Sequence, residues 1–440
     1  MQPDPHAISD ETFGRLATGS GGRPAVEELA ATQHSKNRLL LRSIVEEASA
    51  VRNARAGLAA EAYALLSEVE RRSPRDVADV VRHPAVGIWA WRAWRSLTRP
   101  DGVTEDPGRL AAIAMAAAVR SGTACRIGVP SPRGMVMLPS VGAVDGLADG
   151  DVELEARPEP GAVHLRAGSR TIPVTVGTGD TGGWHAIRPI QAPGFAPLLD
   201  DVDPYRYSVP DVLLPRQDAG SVSTWTRRLN EAWAILNAEH PSVRDEVAAA
   251  ITTFIPIRGP MVGLDSASAR DAFGAIAVSS PPSGLSLALA LAHEVQHAKL
   301  NALLDVMTLI RRRVDADPPD AYYAPWRPDR RPISGLLQGA YAFMGVAGFW
   351  SRQRWQERGA SGFQAHVEFV RWREGAYQAA ETLLGSGRLT ASGAEFVQGL
   401  HATLAHWQDE PVDLAARAEA HRIADRHRAT SIEQHGPIPS

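Results

Sequence analysis

The chain has 440 residues, of which 44% are hydrophobic and 22% charged, a composition typical of a globular protein with two or three domains. The net charge of −4 and the scattered Arg residues exclude a basic surface for nucleic acid, and the single cysteine, Cys125, excludes an internal disulfide or a cysteine-based metal cluster held by this chain alone. No apolar run is long enough to span a bilayer and the N-terminus lacks a signal-peptide pattern, so we expect a cytoplasmic protein with no membrane and no nucleic-acid partner.

Apolar residues recur at helical spacing through the first quarter of the chain. The pattern predicts helices over residues 24–50 and 54–70. Ser73 followed by Pro74 is typical of the N-cap and first residue of another helix. We therefore predict an N-terminal helical bundle that forms a domain over residues 1–122.

Short runs of alternating apolar and polar residues occupy the next part of the chain. Residues 134–138, 152–156 and 163–166 have this period of two and are separated by clusters of Gly, Asp and Pro. Such runs are typical of strands in a small antiparallel sheet. We predict a β-rich subdomain over residues 123–195.

An acidic, turn-rich segment follows and contains Asp200, Asp201 and Asp203. Such a cluster can bind a divalent cation, but solvated loop carboxylates are more common, and we expect these side chains at the surface. Helices and two short strands then lead to the C-terminal helices, an order unlike the repeated βαβ units of a Rossmann domain. The predicted fold class is α+β and predominantly helical, with a zincin-like helical domain over residues 196–440.

An H-E-x-x-H motif in this last region begins at His293 and ends at His297. The chain has no Gly or Pro from Leu285 to Asp317, which predicts one long helix over residues 283–313 with Ser283 as its N-cap. Four residues at 3.6 per turn place both imidazoles on one face, within reach of one metal ion, and Glu294 is positioned to hold or deprotonate a metal-bound water. The alternative is two histidines on an amphipathic helix that binds no metal.

The third metal ligand does not follow the common protease patterns. No Gly and third His come after His297 at the metzincin spacing, and the next predicted helix has no carboxylate over residues 334–349. Between the two helices lies a Pro-rich segment, residues 317–332, which predicts a loop dense in aromatic and Arg side chains. The remaining polar candidates for the ligand are Ser334, Gln338 and Tyr341 on the next helix and His366, Glu368, Glu374 and Glu381 on a later one.

Several segments together resemble a known family. They are HEVQHAKLNALLD at 293–305, YAPWR at 323–327, GLLQGAY at 335–341, DPYR at 203–206, DAFG at 271–274 and RHPAVG at 82–87. With these segments the chain resembles the actinobacterial HExxH-domain proteins encoded beside ribosomal peptide clusters and sometimes fused to radical-SAM maturases of the FxSxx type. The likeness covers most of the chain.

The resemblance implies iron(II)- and 2-oxoglutarate-dependent β-hydroxylation of a residue in a ribosomally made precursor peptide, with a radical-SAM maturase from the same cluster as a further partner. Relatives can have His at the position of Gln338, which implies that Gln338 completes the metal site with His293 and His297. Glu294 would then orient a ligand. Two imidazoles and one weak ligand leave the open positions on iron that a 2-oxo acid and dioxygen need.

A 2-oxoglutarate site also needs a cation for the distal carboxylate, and the fork of a guanidinium suits this task. Arg327, Arg331 and Arg373 are the candidates. Two other functions stay open. One is a cytoplasmic zinc peptidase that uses Glu294 as general base on a metal-bound water. The other is a metal-free scaffold that binds a peptide for another maturation enzyme.

Overall fold

The structure is a computed structural model that describes residues 8–99, 104–160, 162–174, 176–177, 179–260, 263–314 and 320–437. This part of the chain is mostly helical and contains several small sheets, which confirms the predicted α+β, predominantly helical fold class. Within the same residues, no helix combines the length and the apolar character that crossing a membrane requires.

The α-helices are α1 Asp10–Ala17, α2 Gly22–Ala50, α3 Ala56–Arg72, α4 Pro74–Val81, α5 Pro84–Thr98, α6 Leu110–Ser121, α7 Ala219–Glu239, α8 Pro241–Ala250, α9 Gly284–Val306, α10 Ile333–Gln353, α11 Gly359–Gly385, α12 Ala391–Gln408 and α13 Leu414–His435. Short 3₁₀ helices occur at Pro107–Arg109, Pro132–Gly134 and Pro210–Val212.

The strands are β1 Cys125–Ser131, β2 Val136–Leu138, β3 Gly142–Val144, β4 Gly150–Glu159, β5 Ala162–Ala167, β6 Arg170–Val174, β7 Trp184–Ala186, β8 Arg188–Pro189, β9 Leu198–Leu199, β10 Thr253–Pro256, β11 Ser266–Ala267, β12 Ala275–Val278, β13 Tyr322–Ala324 and β14 Arg327–Arg331. Two sheets, in the orders β1-β4-β5-β6 and β2-β3-β7, are antiparallel. A third, β11-β12-β10-β9-β8, is mixed, because β10 pairs in parallel with both β9 and β12.

The chain divides into two compact units. The first unit comprises Met1–Ala30, Glu231–Ala250 and Ser283–Ser440, and the second comprises Ala31–Asn230 and Ile251–Pro282. Each unit joins segments that are far apart in the sequence. This division therefore cuts across the three consecutive regions, 1–122, 123–195 and 196–440, that the sequence predicts.

The core of the second unit is built around α6, whose residues 110–119 are all buried. A helix that is apolar on every face is stable only inside a core. It packs against α3, α4 and the strands β1 and β2. The expectation that Asp200, Asp201 and Asp203 lie at the surface is wrong, because all three side chains are buried in this unit. Backbone amides and Arg side chains hold these carboxylates inside the unit.

The first unit is a packing of long helices in which α10 lies between α9 and α11. Helix α9 ends at Val306, earlier than the predicted 313, because Met307 takes an extended conformation with φ −132° and ψ 137°. The extended chain brings Leu309 into the core, where its carbonyl accepts a hydrogen bond from the amide of Thr390 at 3.0 Å. Of the segment predicted as a loop, residues 317–319 lie outside the described residues, and residues 322–331 form a hairpin in which β13 pairs with β14.

Candidate metal centre

Helix α9 is fixed at its N-terminus by two local contacts. The hydroxyl of Ser283 accepts a hydrogen bond from the amide of Ser286 at 3.1 Å, so the predicted N-cap is confirmed. The amide of Gly284 donates to Glu231 at 3.1 Å, and a Cβ atom at Gly284 would lie 2.3 Å from the Cβ of Glu231. Only glycine allows this approach, which sets where the motif helix begins.

The two histidines of the motif converge on one point. The Nε2 atoms of His293 and His297 lie 3.2 Å apart, and the two rings are nearly perpendicular, with an interplanar angle of 80°. Two nitrogen ligands of one tetrahedral metal ion, with bonds of about 2.0–2.1 Å, are about 3.3 Å apart. Burial, and then the neighbouring His297, lowers the pKa of His293 to about 4, so this imidazole is neutral at pH 7, as a metal ligand must be. The spacing and the charge state both fit a shared metal ion.

Gln338 on α10 contacts the other ring nitrogen of His297. Its amide oxygen lies 3.0 Å from Nδ1 of His297, and its amide nitrogen donates to Oδ1 of Asn301 at 2.7 Å. An amide oxygen can only accept, so the contact requires a proton on Nδ1 and leaves the Nε2 lone pair for a metal. Gln338 therefore fits the role of a partner that orients His297, whereas the family resemblance implies that it is a metal ligand.

Among the residues that the structure describes, the histidine pair has no third acidic or imidazole ligand nearby. None of their His, Cys, Asp or Glu ligand atoms lies within 4.8 Å of both Nε2 atoms. The sequence candidates on α11 have other neighbours: His366 contacts Trp355, Glu368 accepts from Trp372, and Glu374 accepts from His421. Glu381 is exposed. Glu294 is nearly fully buried, and its predicted part in catalysis stays a prediction.

A cluster of three aromatic side chains contacts His293 through one member, Phe343. The edge of Phe343 meets the ring of His293 at a centroid distance of 5.0 Å, and Phe343 stacks on Trp326 at 5.0 Å and on Trp372 at 4.3 Å. We call these three residues the aromatic wall. A Cβ atom at Gly339 would lie 2.1 Å from Trp326, so only glycine allows the indole to lie over α10. The wall is partly exposed and gives the site an apolar flank.

The three arginines predicted to bind 2-oxoglutarate lie in different settings. Arg373 is buried and donates to the carbonyls of Trp407 and Glu410, so it is used to end α12. Arg327 and Arg331 are on β14 and both pair with Asp329, at 2.8 Å and 3.4 Å. Arg331 also lies over the first turn of α10, where a Cβ at Gly335 would be 3.0 Å from its Nε. Gly335 is three residues, about one helical turn, before Gln338, so Arg331 contacts the same end of α10 that carries Gln338.

A cavity of about 800 Å³ lies in the same unit, but neither His293 nor His297 is among its lining residues. It is lined by Gln296, Met344, His240, Trp355 and Trp407, among others. Gln296 is on α9 with the histidines but contacts α10 at Gly345. The cavity is therefore separate from the histidine pair.

The sequence points to the histidine pair and to Gln338 beside it, but not to Asn301 or the aromatic wall. Asn301 is four residues after His297, so the helical period alone could have placed it on the same face. Phe343 and Trp372 have no local signal that connects them to the motif. Comparisons of the chain with models of known protein families and with curated proteins give no match.

Proposed function

We propose that this protein is a metal-dependent oxygenase that uses iron(II) and 2-oxoglutarate to β-hydroxylate a residue in a ribosomally made precursor peptide. The observation that supports this proposal is the pair of Nε2 atoms 3.2 Å apart, with no third acidic or imidazole ligand within 4.8 Å of both in the part of the chain that the structure describes. A metal held by so few protein ligands retains open positions. A 2-oxo acid that chelates through two oxygen atoms needs two of them.

The residues present fit the metal. His293 and His297 would hold it through Nε2, and Gln338 would keep His297 in the tautomer that leaves Nε2 free. When bound, iron(II) supplies the activation of dioxygen with 2-oxoglutarate as the co-substrate, which yields succinate, carbon dioxide and a hydroxylated product. Arg331 would pair with the distal carboxylate of 2-oxoglutarate.

The aromatic wall supports a peptide as substrate. Phe343 contacts His293 and stacks on Trp326 and Trp372. Together the three rings offer a partly exposed apolar surface on which an extended chain can place a side chain beside the metal. The proposal includes a cytoplasmic location and a radical-SAM maturase as a second enzyme that acts on the same peptide.

The test uses the full chain with its metal and co-substrate. Under anaerobic conditions, iron(II) and 2-oxoglutarate should give the weak visible charge-transfer band of a chelated 2-oxo acid. Admission of air should then give succinate even without a peptide, at a low uncoupled rate, and a cognate peptide should become heavier by one oxygen atom. His293→Ala and His297→Ala should abolish both signals, because each removes a ligand. His421→Ala, on the exposed side of α13 in the same unit, is the control and should change neither.

Two outcomes would contradict the proposal. Peptide cleavage with zinc that is indifferent to 2-oxoglutarate and lost in Glu294→Gln would indicate a peptidase. Unchanged metal content in the two histidine variants, or no metal in the wild type, would leave the motif without a metal and favour a peptide-binding scaffold.

A further inference from the structure

A second cluster of metal-ligating side chains lies in the second unit and is independent of the proposed function. His83 immediately precedes α5, and Asp200 and Asp203 follow β9. All three are buried, with exposed fractions of 3%, 0% and 0%. One ligand atom of each lies within 4.8 Å of one ligand atom of both others.

Three polar atoms of this cluster have no hydrogen-bond partner in the described part of the chain. They are both ring nitrogens of His83 and Oδ2 of Asp200, and all three are buried. Nε2 of His83 and Oδ2 of Asp200 are 3.7 Å apart, which is too long for a hydrogen bond. Buried polar atoms are almost always paired, and a metal ion between these two atoms would satisfy both of them.

The other atoms of the two carboxylates are held in place. Oδ1 of Asp200 accepts from the amides of Val202 at 3.0 Å and Asp203 at 2.9 Å. Both oxygens of Asp203 accept from Arg109 at 3.0 Å, and its Oδ1 also accepts from the amide of Tyr205 at 2.8 Å. These three bonds leave one acceptor site of Asp203, on Oδ2, because a carboxylate has about four acceptor sites. Oδ2 of Asp200 faces His83 and has no donor among the described residues.

The electrostatics of the cluster agree with this geometry. Burial lowers the pKa of His83 to about 4, so the imidazole is neutral and able to ligate a metal at pH 7. Burial, reinforced by the charge of Asp203, raises the pKa of Asp200 to about 7. A cation bound beside Oδ2 would offset this burial and keep Asp200 ionised.

We propose that His83, Asp200 and Asp203 bind a divalent transition-metal ion, zinc(II) by preference, with a water molecule as the fourth ligand of a tetrahedral ion. One imidazole and two carboxylates are ligands that zinc accepts, and a buried site suits its low coordination number. Calcium takes six to eight oxygen ligands and magnesium retains several waters, so neither suits a histidine-containing site of this burial. The ion would link the start of α5 to the segment after β9 within the second unit.

The experiment uses the full chain with His293→Ala and His297→Ala, so that the first metal site is removed and the second cluster is intact. This variant is stripped with a chelator and titrated with zinc, followed by metal analysis, X-ray absorption at the zinc edge and thermal unfolding. We expect one equivalent of zinc, an absorption spectrum with one imidazole and oxygen ligands, and a melting temperature that zinc raises.

Adding Asp200→Asn to this variant keeps the shape of the side chain but should abolish the binding of this equivalent of zinc. His185→Ala is the matched control, because His185 also faces two carboxylates in the second unit, Asp145 and Asp180, but lies outside the cluster. The proposal is overturned if the folded double variant takes up no zinc, if its zinc lacks an imidazole ligand, or if Asp200→Asn retains the same affinity. The first two readouts decide the question even if Asp200→Asn does not fold.

Discussion

The amide oxygen of Gln338 lies 3.0 Å from Nδ1 of His297, on the side of the ring away from the facing Nε2 atoms. A partner at Nδ1 fixes the ring and its tautomer, and loss of such a partner typically weakens metal affinity about 10–100-fold. We therefore expect Gln338→Leu to weaken metal binding by about 10-fold or more and Gln338→Glu to preserve it, because a carboxylate also accepts from Nδ1–H.

Competition with a chelating dye measures the metal affinity of both variants. Gln364→Leu is the control, since Gln364 is an exposed residue of α11 that donates a hydrogen bond to Glu368 at 2.8 Å, and it should leave the affinity unchanged. Equal affinities for wild type and Gln338→Leu would show that the contact does not position His297.

Arg331 and Arg327 offer a matched pair for the 2-oxoglutarate site. Both pair with Asp329, and Arg331 also lies over the first turn of α10 at Gly335. Arg331→Met should raise the 2-oxoglutarate concentration needed for the charge-transfer band by about 10-fold or more, equivalent to about 1.4 kcal/mol, because a charge-assisted contact is lost. Arg327→Met should change it by less than about 2-fold, in line with an exposed ion pair. Iron affinity should stay constant in both variants. A larger effect for Arg327→Met than for Arg331→Met would instead assign the distal carboxylate of 2-oxoglutarate to Arg327.

Gly339 is expected to be intolerant of any side chain. In Gly339→Ala the new methyl group would lie 2.1 Å from Trp326, so the indole must move and the aromatic wall be disrupted, at a cost of about 1–3 kcal/mol. Gly14→Ala, inside α1, has no atom within 4 Å and should stabilise the protein by about 0.5–1 kcal/mol. Thermal unfolding measures both changes. A Gly339→Ala protein as stable as the wild type would mean that Trp326 does not occupy this position.

Lys299 and Glu246 form a buried ion pair between α9 and α8. Their atoms are 2.7 Å apart, the side chains are 0% and 2% exposed, and Lys299 also donates to the carbonyl of Gly19 at 3.1 Å. Lys299→Met should cost about 3–5 kcal/mol of unfolding free energy, because Glu246 is left as an uncompensated buried charge. The double variant Lys299→Met/Glu246→Leu should regain much of the lost unfolding free energy, because it leaves no unpaired buried charge.

Urea denaturation measures these free energies. Arg15→Met breaks the exposed pair with Glu11 on α1 and should change the stability by less than about 1 kcal/mol. A loss of similar size for Lys299→Met and Arg15→Met would be inconsistent with a buried pair.

The features that sequence alone determined are those set by local geometry. The spacing of His293 and His297 follows from the helical period, and the N-cap at Ser283 follows from the preference of serine for that position. The predominantly helical α+β class followed in the same way from the periods of the apolar residues. These inferences hold because they involve residues within one or two turns of each other.

Tertiary packing determined the contacts between residues that are far apart in the sequence. Only packing places Gln338 on Nδ1 of His297, uses Arg373 to hold the end of α12, and stacks Phe343 between two tryptophans. The acidic segment was expected in solvent, yet Asp200 is buried because backbone amides and a neighbouring helix start surround it. The burial of a charge is set by its neighbours in space, and a single sequence read locally does not contain that information.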